Sequence, residues 1–265
     1  MTFSMAPGLA GAVRYTDAPR RRDELLRQLR SAGYLSAAQA AAELDVSEMT
    51  IRRDLRQLAL DGLAVRVTGG ARLPGGDGIP FELRTDQFAA QKAAVARAVA
   101  DLLPAGATVA LDSGTTVARL AELLPAGLTV VTHSVPVVSV CAARPDLRLI
   151  GLGGVFNPAT RSFGGPAVRG ALEDIAVDLA VLSATAVGPD GVFCADPYDA
   201  ETKRALAAAA RSVVVAADGS KLAARAPIRF APISTVSTLV TDSSADAAAV
   251  RALEAAGLRV SRAAA

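Results

Sequence analysis

Short apolar runs alternate with helical stretches from Thr108 onward, and this alternation leaves few architectures open. The runs that read as strands are Thr108–Leu111, Leu128–Thr132, Leu147–Leu152, Leu179–Ser183, Ser212–Ala216 and Thr238–Thr241. Helical stretches lie between them at Val117–Leu124, Pro136–Ala143, Ala200–Ala210 and Ala245–Ala256. Strands apolar on both faces must be covered on both faces. The pattern therefore predicts an α/β domain with a mostly parallel sheet between helices. A long Ala-rich helix from Gln87 to Leu103, carrying Lys92 and ended by Pro104-Ala105-Gly106, is expected ahead of the first strand.

In open sheets of this kind ligands bind beyond the carboxyl ends of the strands. The polar residues gather at those ends: Asp112-Ser113-Gly114-Thr115-Thr116, His133-Ser134, Gly151-Leu152-Gly153-Gly154, Asp218-Gly219-Ser220-Lys221 and Thr241-Asp242. Glu201 and Lys203 fall on a helix start near the same rim. The first loop runs into a helix, and small hydroxyls with a glycine ahead of free helix N–H groups suit an anion. An ordinary capped turn has the same composition, so the argument for a ligand site is the convergence of these loops.

The N-terminal quarter follows a different pattern. Leu25, Leu26 and Leu29 share one face of a helix over Arg21–Arg30, closed by Ser31-Ala32-Gly33. Ser36 caps a second helix that runs to Leu44, and Asp45-Val46 makes a tight turn. Ser47 caps a third helix, Glu48–Asp61, which Gly62 ends. Two helices, a short turn and a capped third helix make a helix-turn-helix. On the third helix Ile51, Leu55 and Leu58 face the others, while Met49, Arg52, Arg53 and Arg56 lie opposite.

Guanidinium groups on such a face read guanine edges and grip phosphates, and Thr50 stands where a base or a thymine methyl would meet it. A merely solvated face would supply an acid four residues before each Arg. Glu48 serves Arg52 in that way, but Met49 and Arg52 precede Arg53 and Arg56. Leu63–Thr68 then alternates as a strand, and Gly69-Gly70 turns into Ala71-Arg72. This is a wing, with Arg66 and Arg72 available to phosphates.

Charge agrees with that division. Residues 1–72 hold 11 Arg and no Lys against 8 acids, a balance of +3, whereas the remainder holds 17 basic groups against 18 acids. A polyanionic partner is expected at the N-terminal end. The whole chain has only three lysines, Lys92, Lys203 and Lys221, among 28 basic residues. Where Arg is used so freely, a retained Lys hints at a need for a compact ammonium. One His and two Cys, Cys141 and Cys194, offer no disulfide framework or Cys/His metal site, and neither metal nor cofactor is expected. No apolar run is long enough for a membrane span, and the start reads as a loose extension over residues 1–19, not a secretory signal. A cytoplasmic protein is expected. Residues 20–72 form the first domain, the Gly- and Pro-rich 73–80 a linker, and 81–265 the second domain.

The run Ser47-Glu48-Met49-Thr50-Ile51-Arg52-Arg53-Asp54-Leu55, followed by Leu58, Gly62, Arg66 and Gly69-Gly70-Ala71, resembles the DeoR-type helix-turn-helix signature. The second domain resembles the DeoR C-terminal sensor, whose fold is similar to ribose-5-phosphate isomerase. That likeness rests on Lys92, Asp112 to Thr116, Gly153-Gly154, Gly164, Lys203, Asp218 to Lys221 and Thr241-Asp242. The resemblance implies a regulator of sugar or related carbon metabolism, usually a repressor, whose operator affinity changes when a phosphorylated metabolite binds. It implies that Ser113, Gly114, Thr115 and Thr116 hold phosphate, that Lys203 and Lys221 neutralise it, and that Asp112 bonds ligand hydroxyls. His133, Ser134, Gly153, Gly154 and Asp218 complete the expected site. His133 stands where that family usually has Asn, and Ser183–Val187 replaces a more glycine-rich loop. Dimers on repeated half-sites, or tetramers, are expected.

A second reading is a sugar-phosphate isomerase with an added nucleic-acid-binding domain, using Glu201 and Asp112 as acid and base. It lacks the acidic cluster of such enzymes at Ser183–Val187, and fold likeness does not supply an absent site.

Overall fold

The computed structural model describes residues 18–32, 34–67, 69–72 and 81–264. The expected linker and nearly all of the expected N-terminal extension lie outside the described residues. The chain divides into two compact units between Ile79 and Pro80.

The first unit contains α1 (Ala18–Ala32), β1 (Tyr34–Ser36), α2 (Ala37–Glu43), α3 (Glu48–Leu60), β2 (Val65–Val67) and β3 (Gly70–Arg72). The side chains of Ser36 and Ser47 accept the backbone N–H of Gln39 and Thr50, so both expected caps are in place. Asp45 turns the chain between α2 and α3 at φ 51, and Gly62 leaves α3 at φ 71. Leu25, Leu29, Ile51, Leu55 and Leu58 pack into one aliphatic core. Sequence periodicity misses β1, whose three residues are too few to alternate visibly. It pairs antiparallel with β3, which pairs with β2, so the wing is a three-stranded sheet.

The second unit begins with α4 (Phe81–Asp86), α5 (Ala89–Ala100), β4 (Thr108–Leu111), α6 (Thr115–Ala121), β5 (Thr129–Thr132), α7 (Val135–Ala142) and β6 (Arg148–Gly151). A hairpin follows, β7 (Val155–Asn157) and β8 (Ser162–Gly164), then α8 (Pro166–Glu173) and β9 (Val177–Leu182). The remainder is β10 (Ala186–Gly188), β11 (Gly191–Cys194), α9 (Pro197–Ala209), β12 (Ala210–Ala216), β13 (Ile228–Ala231), β14 (Thr238–Asp242), α10 (Ala247–Ala255) and β15 (Arg259–Ala263).

Seven strands form one sheet in the order β15-β14-β12-β9-β4-β5-β6, and every pairing in it is parallel. One face is covered by α5, α6 and α7 through Val95, Val99, Val117, Leu120 and Val137. The other is covered by α8, α9 and α10 through Val168, Leu172, Leu206 and Leu253. The same side carries a small antiparallel sheet, β10-β11-β13. The expected helix over Gln87–Leu103 is the shorter α5, and α4 ahead of it was not expected; Phe88, in the left-handed region at φ 54, separates the two. An Ala-rich stretch carries too weak an apolar pattern to reveal that break.

Candidate functional site

In the first unit α3 presents Met49, Arg52, Arg53 and Arg56 to solvent, as its periodicity requires. Arg52 is paired with Glu48 at 2.6 Å, while among the described residues Arg53 and Arg56 have no acidic partner. Ser47 and Thr50 share a hydroxyl–hydroxyl bond of 2.9 Å at the exposed N-terminus of the helix. Arg66 is exposed on β2; Arg72 ends β3, and its side chain lies outside the described residues. The surface thus offers two guanidinium groups on one helix and a third on the wing beside it. Beneath α3 lies a group that periodicity does not reveal. Asp54 is buried and accepts Arg21 Nε of α1 at 2.5 Å. Removing one partner of such a buried pair typically costs about 3–5 kcal/mol.

In the second unit the five polar loops do converge on the carboxyl rim of the sheet, but they separate into two groups. Asp112, fully buried just beyond β4, is the centre of the first. Its Oδ2 accepts the Ser183 amide at 2.8 Å, the Ser183 hydroxyl at 2.6 Å and Lys203 Nζ, and its Oδ1 meets His133 Nε2 at 3.2 Å. Four donors thus meet this carboxylate, three of them on Oδ2. Lys203, only 2 % exposed, also donates to Ser183 Oγ at 3.0 Å and faces Asp199 at 3.5 Å. Burial resists ionisation of Asp112, yet the Lys203 ammonium and the His133 hydrogen bond outweigh it and hold the carboxyl far below its usual range. Burial likewise opposes the charge on Lys203, and Asp112 and Asp199 reverse the sign, raising it. His133 Nδ1 lies 2.7 Å from the Phe163 carbonyl oxygen, which ties this group to β8. The resemblance placed Asp112 on ligand hydroxyls and Lys203 on a phosphate. In the structure both are spent on each other and on Ser183.

The second group has capacity to spare. Ser113 Oγ, Ser134 Oγ, Asp218 Oδ2 and Thr241 Oγ1 are buried with no hydrogen-bond partner among the described residues. Buried polar atoms are almost always paired, so four orphans on one rim indicate a missing partner. They sit beyond β4, β5 and β12 and on β14, a span of about 19 Å at a strand spacing of about 4.8 Å. The rim therefore has a hydroxyl end and a charged end. At the first, Gly114 caps α6 with no side-chain bond of its own, and Thr115 and Thr116 begin that helix, both buried. A Cβ on Gly114 would stand 2.5 Å from that of Ser183, so only glycine lets this loop reach the neighbouring one.

At the charged end stand Asp218, the half-buried Lys221 and Lys92, which is only 3 % exposed. Lys92 was notable in the sequence only for its rarity. The structure gives it a place: burial first, and then Lys221, Arg84 and Arg119, bring its ammonium down to about 8 against the pull of Asp218. Gly153 and Gly154 are exposed beyond β6. Gly154 approaches β8 so closely that a Cβ there would meet the Gly164 carbonyl oxygen at 2.5 Å, and its φ of 154° disfavours a side chain as well. Gly154 serves the hairpin geometry as observed. Among the described residues, no group of three or more His, Cys, Asp or Glu side chains is placed to hold a metal ion.

Known proteins match both halves. Residues 21–75 match the DeoR-like helix-turn-helix domain and residues 87–243 the DeoR C terminal sensor domain. The HTH-type transcriptional repressor CsqR of Escherichia coli is 31 % identical over 226 residues, covering 84 % of this chain and 87 % of its own length. The glycerol-3-phosphate regulon repressor of E. coli is 29 % identical and covers 84 % of this chain and 90 % of its own. Transcriptional repressor AccR of Agrobacterium fabrum is 31 % identical, with coverages of 84 % and 89 %. Among solved structures, ribose 5 phosphate isomerase A from Neisseria gonorrhoeae aligns with 49 % of this chain and 52 % of its own, at a TM-score of 0.37 and 17 % identity. The full-length sorbitol operon regulator SorC from Klebsiella pneumoniae aligns with 90 % and 99 %, at 0.38 and 14 %. By its two matched domains and its relatives along most of its length, the chain belongs to the DeoR family of DNA-binding transcriptional regulators.

Proposed function

We propose that this regulator represses genes of sugar or related carbon metabolism, and that a phosphorylated metabolite bound on the sheet rim of the second unit lowers its affinity for operator DNA. The observation that carries the sensor half is the set of four buried, unpartnered polar atoms at the strand ends, beside Lys92 and Lys221. A ligand with hydroxyls and an anionic group supplies what those atoms lack. Relatives named as a glycerol-3-phosphate regulon repressor and a putative aga operon transcriptional repressor support this class of regulon. On this reading Arg53 and Arg56 read bases, Arg52, Ser47 and Thr50 set the helix on the groove, and Arg66 and Arg72 hold phosphates. Ser113, Thr115, Thr116, Ser134, Asp218, Thr241, Lys92 and Lys221 contact the effector. Asp112, Lys203 and His133 are its buried support. The protein acts in the cytoplasm as a homodimer or homotetramer on repeated half-sites.

An isomerase reading needs a poised base. Glu201 is paired with Arg169 at 3.5 Å, and Asp112 is fully buried and bonded to Ser183, Lys203 and His133, which favours sensing over catalysis. The test is a mobility-shift titration of DNA from around the chain's own gene, with and without a panel of sugar phosphates. A specific complex weakened by one of them supports the proposal. Failure of every sugar phosphate to change the complex refutes the sensing half, and conversion of ribose 5-phosphate to ribulose 5-phosphate refutes the non-enzyme reading.

A further inference from the structure

The charged end of the rim holds a second arrangement that effector binding alone does not explain. Lys92 Nζ of α5 donates to the backbone carbonyl of Arg84, and Arg119 Nη2 of α6 donates to that of Thr85 at 3.1 Å. These are carbonyls at the C-terminal end of α4, where a helix leaves acceptors without intrahelical partners and favours positive charge. Two cations from different helices thus clasp the end of α4. Its other ties include a bond from Arg84 to the Ala159 carbonyl at 3.3 Å and the Arg84 guanidinium over the Phe81 ring, and within the helix Thr85 Oγ1 donates to the Phe81 carbonyl at 3.0 Å. Phe81 is the second residue of its unit and directly follows the segment that joins the two units.

The same two cations belong to the ligand rim. Arg119 lies one turn beyond Thr115 on α6, and its Nε is buried without a partner among the described residues. Lys92 shares its surroundings with Asp218 and Lys221, and the Asp218 Oδ2 beside it is unpartnered.

We propose that α4 transmits ligand occupancy: an anionic group at the charged end of the rim draws Lys92 and Arg119 off the Arg84 and Thr85 carbonyls and frees the end of α4, the element that leads into the interdomain segment. This rests on the effector reading above and adds the route by which it acts. The bonds to the two carbonyls are charged on the donor side only, whereas a phosphate oxygen brings the opposite full charge to both cations, so the exchange favours the anion. The lowered Lys92 pKa agrees, because a cation crowded by Lys221, Arg84 and Arg119 gains more from a dianion than from a carbonyl.

The test is hydrogen–deuterium exchange of the full-length protein in inorganic phosphate and in chloride at equal ionic strength, read on the peptide spanning residues 81–88. Exchange there should rise at least threefold in phosphate while the β4 and β9 strands stay protected. Thr85→Val, which removes the Thr85–Phe81 bond without touching either cation, should raise exchange in chloride and weaken operator binding with no phosphate present. Lys92→Met should do the same and blunt the response to phosphate. Unchanged or slower exchange at 81–88 in phosphate, while a sugar phosphate still weakens operator binding, overturns the α4 route and leaves the effector reading standing. If no phosphorylated probe alters operator binding, the effector reading falls and the α4 route falls with it. Normal operator affinity in a folded Thr85→Val protein with loosened α4 also overturns it.

Discussion

Replacing Lys203 with Met removes the counter-ion of a carboxylate that has no access to water. Asp112 is completely buried and keeps three donors after the change, two from Ser183 and one from His133. What it loses is the ammonium that, together with His133, offsets the cost of burying its charge. Removal of one member of a buried pair costs about 3–5 kcal/mol. For a unit of this size that is a fall of about 6–20 °C in Tm, at about 2–4 °C per kcal/mol. Paired removal should be cheaper, because Lys203→Met with Asp112→Asn keeps the hydrogen-bonding shape and leaves only Asp199, at the edge of the cluster, without its ammonium. Urea unfolding of the parent, both single variants and the double gives the coupling directly. The expected double variant recovers more than half the loss of Lys203→Met. A Lys203→Met protein within about 1 kcal/mol of the parent, or a double variant that shows the plain sum of the single losses, refutes the closed-cluster argument.

The remaining predictions are briefer. Arg53→Ala and Arg56→Ala should each cost about 1–3 kcal/mol on operator DNA and little on random DNA, whereas Arg66→Ala should weaken both alike and flatten the salt dependence by about one unit of slope; filter binding at several salt concentrations distinguishes them. Burial brings Lys92 down to about 8 in the folded protein, against 10.5 for an ordinary lysine. Being depressed, it adds stability above the unfolded value that is lost as the pH falls through about 8, and an anion that restores its charge must take up a proton. Effector affinity should therefore fall as the pH rises above about 8, and calorimetry of sulfate binding in two buffers should show net proton uptake; pH-independent affinity contradicts the assignment. Gly154→Ala should destabilise the second unit by more than 1 kcal/mol through its φ and its close approach to Gly164, measured by thermal unfolding. Residues 80–265 should melt cooperatively when expressed alone, and a molten fragment contradicts the division at Ile79.

Much of this is visible in the residues and some of it is not. Ser36, Ser47 and Gly62 mark helix ends because capping is local chemistry, and the six apolar β-runs mark the parallel sheet, although the one at its edge, β6, is only partly covered. The edge strand β15 and the hairpin β7–β8 escaped notice, since Arg259-Val260-Ser261-Arg262 and Val155-Phe156-Asn157 are half polar or too short. The loops of the rim were legible as a set, yet their division was not. Which of Lys92, Lys203 and Lys221 is free depends on which side of the sheet each helix covers, and local sequence does not carry that information. Asp54 sat within the recognised signature, but its partner Arg21 lies 33 residues away.

The central claim is that occupancy of the rim and grip on DNA are one equilibrium. Linkage then requires that effector and operator change each other's affinity by the same factor. The direct measurement is a pair of titrations: operator binding with and without a saturating sugar phosphate, and binding of that sugar phosphate with and without operator. The account predicts equal shifts in the same direction, the operator Kd rising by the factor by which operator raises the sugar phosphate Kd. Identical sugar phosphate Kd values with and without operator contradict it.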